Sequence, residues 1–302
     1  MKTGFVGIIG RPNVGKSTLL NAILGEKIAI TTEKPQTTRN AIRGIYTHYS
    51  DDELPEDLQM IFIDTPGIHR PRTKLGSYMT DAAIGTLKEV DAIIFIVDDK
   101  LSDGPGDKYI VDLLDDVVTP KILVINKIDK MQPDEFAEIY KEYEDLGLFE
   151  EIIGVSAKEG THVENVIKEV AQFMEEGPMY FPDDMITEHP ERFVVSEIIR
   201  EKILMYLQDE VPHGVAVEIE QYKEEEKITK IHAVIYCEKK SHKGMIIGKG
   251  GRKLKGIGKS AREEIEVLLG TKVYLELWVK VKENWRDSDV ALSNFGYFGY
   301  KE

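Results

Sequence analysis

The side chains best suited to chemistry form one uninterrupted stretch near the N-terminus, G-R-P-N-V-G-K-S at positions 10–17. This stretch matches the phosphate-loop pattern G-x-x-x-x-G-K-[ST], and it lies between an apolar run and a segment with helical spacing. Glycines let backbone N–H groups turn towards phosphate oxygens, and Lys16 and a helix N-terminus add positive charge. An ordinary Gly-Pro loop is the alternative, which the full match in this context disfavours. The predicted phosphate-binding residues are Gly10, Asn13, Val14, Gly15, Lys16, Ser17 and Thr18.

Hydroxyl and carboxyl groups that could hold Mg²⁺ occur in and after this loop. The Ser17 hydroxyl would ligate an ion that bridges the last two phosphates of a nucleotide. Asp64 opens D-T-P-G after an apolar run, where a carboxylate can hold Mg²⁺ and the Gly67 N–H can meet the terminal phosphate. In the polar stretch Q-T-T-R we favour Thr38 over Thr37 as a ligand that orders only while the terminal phosphate is present. We therefore predict Ser17, Thr38 and Asp64 as metal ligands, Lys16, Thr38 and Gly67 as groups that assist phosphoryl transfer, and no general base.

Two later elements predict which base is bound. Asn126, Lys127 and Asp129 form N-K-x-D after another apolar run. The Asp129 carboxylate can accept hydrogen bonds from the ring N–H and the exocyclic amine of guanine, a donor pair that adenine lacks. In S-A-K, at 156–158, a backbone N–H could bind the guanine carbonyl oxygen and the lysine could stack on the base. The predicted base-binding residues are Asn126, Lys127, Asp129, Ser156, Ala157 and Lys158.

These five elements, in this order, resemble those of the translation-factor-like class of GTPases. One position departs from the Ras pattern, because Ile68 stands where a glutamine positions the attacking water. Isoleucine cannot orient water by hydrogen bonding, so we expect slow intrinsic hydrolysis. Asn13 suggests K⁺ as a second cation, since related GTPases with asparagine in the loop can bind K⁺ where an arginine finger would lie. Equal turnover in K⁺ and Na⁺ buffers would refute that hypothesis.

A basic run in the second half of the chain predicts a different ligand. Residues 239–262 contain nine Lys or Arg and no Asp or Glu, in a chain whose formal net charge is −15. Within this run G-K-G-G forms a G-x-x-G turn, which in a KH module brings the backbone close to about four nucleotides of a single strand. Flanking Lys and Arg contact phosphate. The alternative is a solvated basic face, but a helix-strand-strand-loop-helix-strand order favours RNA binding. The predicted RNA-binding residues are Lys243, Ile246, Ile247, Gly248, Lys249, Gly250, Gly251, Arg252 and Lys253.

Bulk composition limits the class of protein. The 302 residues are 42% hydrophobic and 31% charged, enough for two domains with cores of their own. A single cysteine, Cys237, excludes an internal disulfide framework and fits a reducing compartment. No apolar run is long enough to span a bilayer, and the first strand begins so early that we expect no signal peptide. We expect a cytoplasmic monomer, and peripheral contact with a membrane stays open.

Over nearly its whole length the chain resembles the bacterial Era family of GTPases. The matching stretches are G-R-P-N-V-G-K-S-T-L-L-N, P-Q-T-T-R, D-T-P-G, N-K-I-D, S-A-K, P-E-R-F-V-V-S-E-I-I-R-E-K-I-L, I-I-G-K-G-G and V-K-V-K-E-N-W-R. The resemblance implies an α/β P-loop GTPase domain, with a mostly parallel sheet flanked by helices, followed by an α+β KH domain of type II topology. It also implies binding to single-stranded RNA near the 3′ end of small-subunit ribosomal RNA, and a role in maturing the small ribosomal subunit. We expect the GTPase domain at 1–177, a linker at 178–190, and the KH domain with a C-terminal helix and tail at 191–302.

Three alternatives differ in their chemistry. A passive RNA-binding assembly factor would keep the nucleotide as a structural ligand, and substitution of Lys16 would then leave GTP hydrolysis unchanged. An ATPase or nucleotide kinase is disfavoured by Asp129. The tRNA-modifying GTPases share the phosphate loop but not a C-terminal G-x-x-G module. We therefore predict a switch that binds and hydrolyses GTP and that engages RNA and the small ribosomal subunit.

Overall fold

The structure, a computed structural model, describes residues 1–32, 34, 37–52, 54–68, 71, 73–102, 105–207 and 214–297. The chain forms two compact units. Unit 1 comprises Met1–Thr31, Thr38–Pro71 and Met79–Glu188, and unit 2 comprises Thr32–Thr37, Arg72–Tyr78 and His189–Glu302. Among the described residues, no helix is both long enough and apolar enough to cross a bilayer.

A mixed sheet forms the centre of unit 1. Its strands are β1 (Lys2–Ile9), β2 (Ile42–His48), β3 (Leu58–Asp64), β4 (Ala92–Val97), β5 (Lys121–Asn126), β6 (Glu151–Val155) and β7 (Glu175–Glu176). The helices of the same stretch of chain are α1 (Lys16–Leu24), α2 (Lys74–Thr86), α3 (Pro105–Asp115), α4 (Pro133–Glu144) and α5 (Val163–Ala171). The strand order is β2-β3-β1-β4-β5-β6, with the short β7 beside β1.

The strand directions bring the predicted motifs to one edge of this sheet. β3, β1, β4, β5 and β6 run parallel, whereas β2 and β7 are antiparallel to their neighbours. Every residue of β4 and β5 is buried, as in central strands covered on both faces. Because parallel strands end at the same edge, the loop after β4 lies between the loops that follow β1 and β5.

The expected linker, 178–190, is docked on unit 1 as far as Glu188. The Ile45 N–H donates to the Ile186 oxygen at 2.8 Å, and the Thr187 hydroxyl donates to the Arg43 oxygen at 2.7 Å. The side-chain amide of Gln59, which is fully buried, bonds the backbone of Phe181 through both its oxygen and its nitrogen. The bonds at Ile45 and Arg43 cover backbone groups of the edge strand β2 that would otherwise be unpaired.

Unit 2 contains a three-stranded sheet that shares a hydrophobic core with packed helices. Its helices are α6 (Glu191–Tyr206), α7 (Lys240–Ile247), α8 (Arg252–Leu269) and α9 (Asp289–Asn294). Its strands are β8 (Val215–Glu225), β9 (Ile228–Cys237) and β10 (Lys272–Val281), in the order β10-β9-β8. β9 pairs antiparallel with β8 and parallel with β10. This helix-strand-strand-helix-helix-strand order confirms the predicted α+β KH fold, and the sheet of unit 1 confirms the P-loop α/β fold.

One element of unit 2 differs from the sequence interpretation. The predicted element order has a loop between the second strand and the helix that follows the G-x-x-G turn, whereas Lys240–Ile247 of that stretch form the helix α7. This helix has only eight residues, K-S-H-K-G-M-I-I, with a glycine inside and no apolar stripe. A short helix of this kind lacks the periodic signal that sequence reasoning depends on and is stabilised by packing instead.

The C-terminal aromatic side chains pack together. Trp285 is fully buried, and its indole N–H donates to the Gly214 oxygen at 3.0 Å. Its ring lies 5.3 Å from the ring of Phe295 and 5.9 Å from that of Tyr297. These contacts indicate that the three rings pack within unit 2 and do not form a base-stacking platform. The tail beyond residue 297 lies outside the described residues.

Candidate active site and nucleic-acid interface

The phosphate loop connects β1 to α1, whose first residue is Lys16. Lys16 is only 5% exposed, and its Nζ donates to the Gly10 oxygen at 3.2 Å and to the Arg11 oxygen at 2.7 Å. Burial lowers the pKa of Lys16 to about 8, and the nearby Asp64 carboxylate opposes that shift. The ammonium group therefore stays mostly protonated at neutral pH. A buried cation at a helix N-terminus fits phosphate binding.

Three oxygen-bearing side chains meet at the start of α1. Ser17 Oγ donates to Asp64 Oδ2 at 2.5 Å and lies 2.8 Å from Thr38 Oγ1, which is 3.4 Å from the same carboxylate oxygen. Burial raises the pKa of Asp64 to about 6, and within the described part of the chain its Oδ1 is buried without a hydrogen-bond partner. A cation would satisfy that oxygen, and an all-oxygen donor set suits Mg²⁺. The three predicted metal ligands therefore lie together and fit the ion.

The structure distinguishes the two neighbouring threonines. The Thr37 hydroxyl donates to the Lys34 oxygen at 2.6 Å and lies 2.7 Å from the Thr32 hydroxyl. Its oxygen is thus engaged with its own segment, whereas Thr38 Oγ1 points to the Ser17–Asp64 pair. This arrangement supports the choice of Thr38 over Thr37.

D-T-P-G lies directly against the phosphate loop. The Thr65 hydroxyl donates to the Ile8 oxygen at 2.8 Å, and the Ile68 N–H donates to the Gly10 oxygen at 3.1 Å. A Cβ on Gly67 would lie 2.7 Å from the Pro12 nitrogen, so this close approach requires glycine. Ile68 is fully buried among the apolar side chains of the sheet core and offers no polar group to an attacking water.

Asn126, the last residue of β5, joins three loops of the site. Its Nδ2 donates to the Val14 oxygen at 2.8 Å, and its Oδ1 accepts from the Ala157 N–H at 3.0 Å. A Cβ on Gly15, whose φ is 107°, would overlap this amide nitrogen. The Ala157 N–H, one of the S-A-K backbone groups that could bind the guanine carbonyl oxygen, is therefore engaged inside the site, where it aligns S-A-K with N-K-x-D.

The predicted guanine-reading carboxylate is exposed and oriented. The Ser156 hydroxyl donates to Asp129 Oδ1 at 2.6 Å, and this bond holds the pKa of Asp129 below its usual value. The ionised carboxylate is the form that can accept two hydrogen bonds from guanine. Lys158 is exposed and forms a 3.0 Å ion pair with Glu159. Thr18 lies in the first turn of α1, directly after Ser17.

Sequence reasoning missed a group of charged residues beside these loops. Asp98, directly after β4, accepts from Arg11 Nη2 at 3.2 Å and from Lys127 Nζ. Arg11 Nε also lies 2.7 Å from Asp107 Oδ2 on α3, and burial raises the pKa of Asp107 to about 6 against the effect of Arg11. The available signal was a D-D pair at the end of a buried strand, at the edge where all the other motifs lie.

The G-x-x-G turn of unit 2 joins α7 to α8 through backbone that favours glycine. Gly248, Gly250 and Gly251 have φ values of 72°, 61° and 75°. Gly248 combines its φ with a ψ of 174°, a region that glycine alone adopts without strain. A Cβ there would also lie 2.6 Å from Lys253 Cβ, whereas a Cβ on Gly250 would meet no atom within 4 Å. The turn therefore presents backbone to the solvent at its tip.

The basic side chains around this turn differ in exposure. Lys249 and Arg252 are exposed, and Lys243 and Lys253 are half-buried. Within the described ranges no carboxylate lies within ion-pair distance of Lys249 or Arg252, although Lys259 lies 3.7 Å from Glu263. The free cations at the turn are what a phosphate backbone would need.

Of the two isoleucines predicted to face RNA, only one retains accessible surface. Ile246 is fully buried in the core of unit 2, and Ile247 is a partly buried neighbour packed against that core. Ile246 therefore anchors the end of α7, and Ile247 alone can line a groove.

Two family models match the chain. The model described as 50S ribosome-binding GTPase matches residues 5–127, and the model described as KH domain matches residues 210–286. Among curated proteins, GTPase Era of Alkaliphilus oremlandii is 61% identical over 298 residues, which are 98% of this chain and 99% of that protein. GTPase Era of Clostridioides difficile is 56% identical over 299 residues, 98% of each chain.

Two solved structures are similar over nearly the whole chain. A crystal structure of Era in complex with MgGDPNP and nucleotides 1506–1542 of 16S ribosomal RNA has a TM-score of 0.91 and 40% identity. A crystal structure of an Aquifex aeolicus Era variant bound to GDP·AlF4⁻ has the same TM-score and identity. Each match covers 98% of this chain and 99% of the other. These similarities confirm the resemblance seen in the sequence: the chain belongs to the Era family, and it is a GTPase that carries a KH domain.

Proposed function

We propose that this GTPase is a switch that binds single-stranded RNA near the 3′ end of small-subunit ribosomal RNA and assists assembly and maturation of the small ribosomal subunit. The observation that carries the proposal is the presence, in one chain, of the buried Ser17–Thr38–Asp64 cluster and an exposed basic G-x-x-G turn. The similar Era structure holds MgGDPNP and a 3′ segment of 16S ribosomal RNA, which supports the same classes of ligand here.

Hydrolysis in the proposed site depends on position and charge. Ser17, Thr38 and Asp64 would hold Mg²⁺, which when bound neutralises charge on the terminal phosphates. Lys16 supplies a second positive charge from a buried position, and the Gly67 N–H would donate to the terminal phosphate from the loop that lies against Pro12. Because phosphoryl transfer of this kind needs little covalent chemistry from the protein, we propose no general base. The burial of the apolar Ile68 side chain supports slow intrinsic GTP hydrolysis in the absence of an activating partner.

RNA recognition in the proposal uses the tip of the G-x-x-G turn. Gly250 approaches the nucleic-acid backbone without a side chain in the way, and Lys249 and Arg252 contact phosphates from their exposed positions. Bound GTP orders Thr38 and the Gly67 backbone, and the protein then binds RNA. Hydrolysis of GTP ends this RNA-binding state.

The test is the GTPase rate with and without a single-stranded oligonucleotide of the 16S ribosomal RNA 3′ end. The proposal expects the wild-type protein to bind the oligonucleotide and its rate to respond. Lys249→Gln/Arg252→Gln should weaken binding and remove the response, since both free cations at the turn are lost. Lys227→Gln/Lys272→Gln is the matched control, because it removes the same charge from exposed positions of unit 2 outside the basic run.

Two outcomes would contradict the RNA part of the proposal. One is an oligonucleotide that neither binds nor alters the rate. The other is an equal loss of binding in the G-x-x-G variant and in the control, which would indicate a general charge effect. A role in subunit assembly is tested separately, by asking whether cells that carry only the Lys249→Gln/Arg252→Gln protein accumulate unprocessed small-subunit ribosomal RNA.

We further propose K⁺ as a second cation at Asn13. Asn13 is exposed in the phosphate loop with a φ of 68°, and its backbone oxygen accepts from Lys127 Nζ at 2.8 Å. Its side-chain oxygen would add a ligand for a monovalent cation beside the phosphates. Turnover should be faster in K⁺ than in Na⁺ at equal ionic strength, and Asn13→Ala should abolish the difference. Equal rates of the wild-type protein in both buffers would contradict this proposal.

A further inference from the structure

Asp98 occupies a position that the strand order makes special. It is the first residue after β4, and β4 lies between β1 and β5 in the sheet. The phosphate loop follows β1 and N-K-x-D follows β5. A side chain at the end of β4 can therefore reach both halves of the nucleotide site.

The Asp98 carboxylate contacts both loops at once. Its Oδ1 accepts from Arg11 Nη2 at 3.2 Å, and its Oδ2 accepts from Lys127 Nζ. Lys127 Nζ also donates to the Asn13 oxygen at 2.8 Å. The side chain of Asp98 is 19% exposed, so solvent screens these contacts less than it screens a surface ion pair.

Arg11 also forms an ion pair with a residue of α3. Its Nε lies 2.7 Å from Oδ2 of Asp107, whose side chain is fully buried. A Cβ on Gly106 would lie 2.7 Å from Arg11 Cδ, so α3 leaves room for the arginine only because glycine stands there. The guanidinium group that Asp98 contacts is therefore restricted by its own contacts with α3.

We propose that Asp98 is a positioning residue for guanine-nucleotide binding, which joins Arg11 of the phosphate loop to Lys127 of the base-binding loop. The carboxylate restricts the long Lys127 side chain and sets the spacing of the two loops before a nucleotide arrives. Ordering a long lysine side chain costs conformational entropy, and a partner that orders it in advance removes that cost from binding. This inference rests on the proposed guanine site and concerns how tightly that site holds its ligand.

The experiment measures the release rate of a fluorescent GDP analogue from the full chain, together with kcat and KM for GTP. Asp98→Asn keeps the shape of the side chain and removes its charge. We expect about tenfold faster release and a raised KM, with the smaller effect on kcat, because Ser17, Thr38 and Asp64 are unaffected. Asp99→Asn is the matched control, since Asp99 is the adjacent exposed aspartate and its Oδ1 accepts only from the Lys100 N–H among the bonds of the described residues. Its release rate should stay within about twofold of wild type.

A double-mutant cycle with Lys127→Met tests whether Asp98 acts through the lysine. In the Lys127→Met background, Asp98→Asn should change release by less than about twofold. A full tenfold effect in that background would overturn the inference, and so would wild-type release in Asp98→Asn alone. If Asp98→Asn does not fold, Asp98→Ser replaces it in the same cycle.

The cycle also separates this inference from the proposed function. Lys127→Met alone should speed release, since that result depends only on the base-binding loop. If it does not, the proposed guanine site is wrong. If Lys127→Met speeds release and Asp98→Asn does not, only the role of Asp98 is wrong.

Discussion

The chain contains two glycine-rich regions that are predicted to bind phosphate, and the two regions differ in how their charged side chains are exposed. In the phosphate loop of unit 1, Lys16 is 5% exposed and Asp64 is fully buried, and both have shifted pKa values. In the G-x-x-G turn of unit 2, Lys249 and Arg252 are exposed. Both regions have glycines with positive φ, so backbone conformation alone does not distinguish them.

The difference in burial indicates which kind of ligand each region can bind. Charges in a dry site interact strongly and specifically with a ligand small enough to be enclosed, at the cost of desolvation. Exposed cations interact weakly one at a time and add up along an extended polyanion. The phosphate loop is therefore suited to a nucleotide, and the G-x-x-G turn to a flexible strand of nucleic acid.

The largest effect that would sharpen this comparison is a change of base specificity in unit 1. Asp129→Asn replaces an acceptor-only carboxylate by an amide that matches xanthine rather than guanine, because the amide can donate to the xanthine carbonyl. We expect preference for GTP over xanthosine triphosphate to reverse, by up to about 10⁴-fold in kcat/KM. Asp134→Asn, at an exposed position of α4, should leave the preference intact. An unchanged preference in Asp129→Asn would refute the assignment of the base-reading residue.

A smaller loss is expected for the buried cation. Lys16→Ala should reduce single-turnover GTP hydrolysis by about 10²- to 10³-fold, the typical consequence of removing one charge-stabilising donor. Lys108→Ala, at an exposed position of α3, is the control and should hydrolyse GTP normally. If Lys16→Ala hydrolyses GTP as fast as wild type, the alternative of a structural nucleotide gains support.

The salt dependence of ligand affinity should distinguish the two regions directly. If the turn contacts about four phosphates, raising NaCl from about 50 to about 200 mM should lower RNA affinity about 50-fold. GTP affinity, which depends on buried groups, should change much less over the same range. Lys249→Gln/Arg252→Gln should also flatten the salt dependence of RNA binding, by about 1.4 in the log–log slope. Titrations with RNA and with GTP at both NaCl concentrations measure the two affinities. An equal loss of affinity for both ligands would contradict the comparison.

The smallest effect concerns the glycines of the turn. Gly248→Ala should destabilise the turn by about 1–3 kcal/mol, because its backbone region excludes other residues and Lys253 Cβ lies in the way. Gly250→Ala meets no neighbour and should cost about 1 kcal/mol. Amide hydrogen exchange in α7 and α8 measures both. Equal protection in the two variants would show that the backbone of Gly248 is less constrained than its angles indicate.

Contiguous motifs made much of the molecule predictable. G-R-P-N-V-G-K-S, D-T-P-G, N-K-I-D and S-A-K each consist of neighbours in sequence, and the parallel strands that precede them place them at one sheet edge. The basic run with its G-x-x-G turn is contiguous as well. The motifs and the basic run therefore predicted the candidate residues, a guanine-nucleotide site and an RNA-binding turn, whereas the family resemblance supplied the two fold classes, the 3′ end of the ribosomal RNA and the role in subunit maturation.

Features that depend on long-range contacts could not be predicted in this way. Asp98 meets Arg11 across 87 positions of the chain, and Gln59 meets Phe181 across 122. The choice between Ile246 and Ile247 depended on which face of α7 packs against the core. The preference for Thr38 over Thr37 gained its support only when Ser17 and Asp64 were placed beside it.

Side-chain types, glycine positions and the order of motifs along the chain are local properties, and they sufficed to predict which chemistry is available. They predicted a phosphate loop, a carboxylate that would read guanine, and a basic turn. Tertiary structure decided which of these groups are buried and which pairs meet, since burial and pairing depend on how distant segments pack. Packing buries Lys16 and Asp64 and thereby shifts their pKa values, whereas it leaves Lys249 and Arg252 in solvent. It also brings Asp98 between the two halves of the nucleotide site.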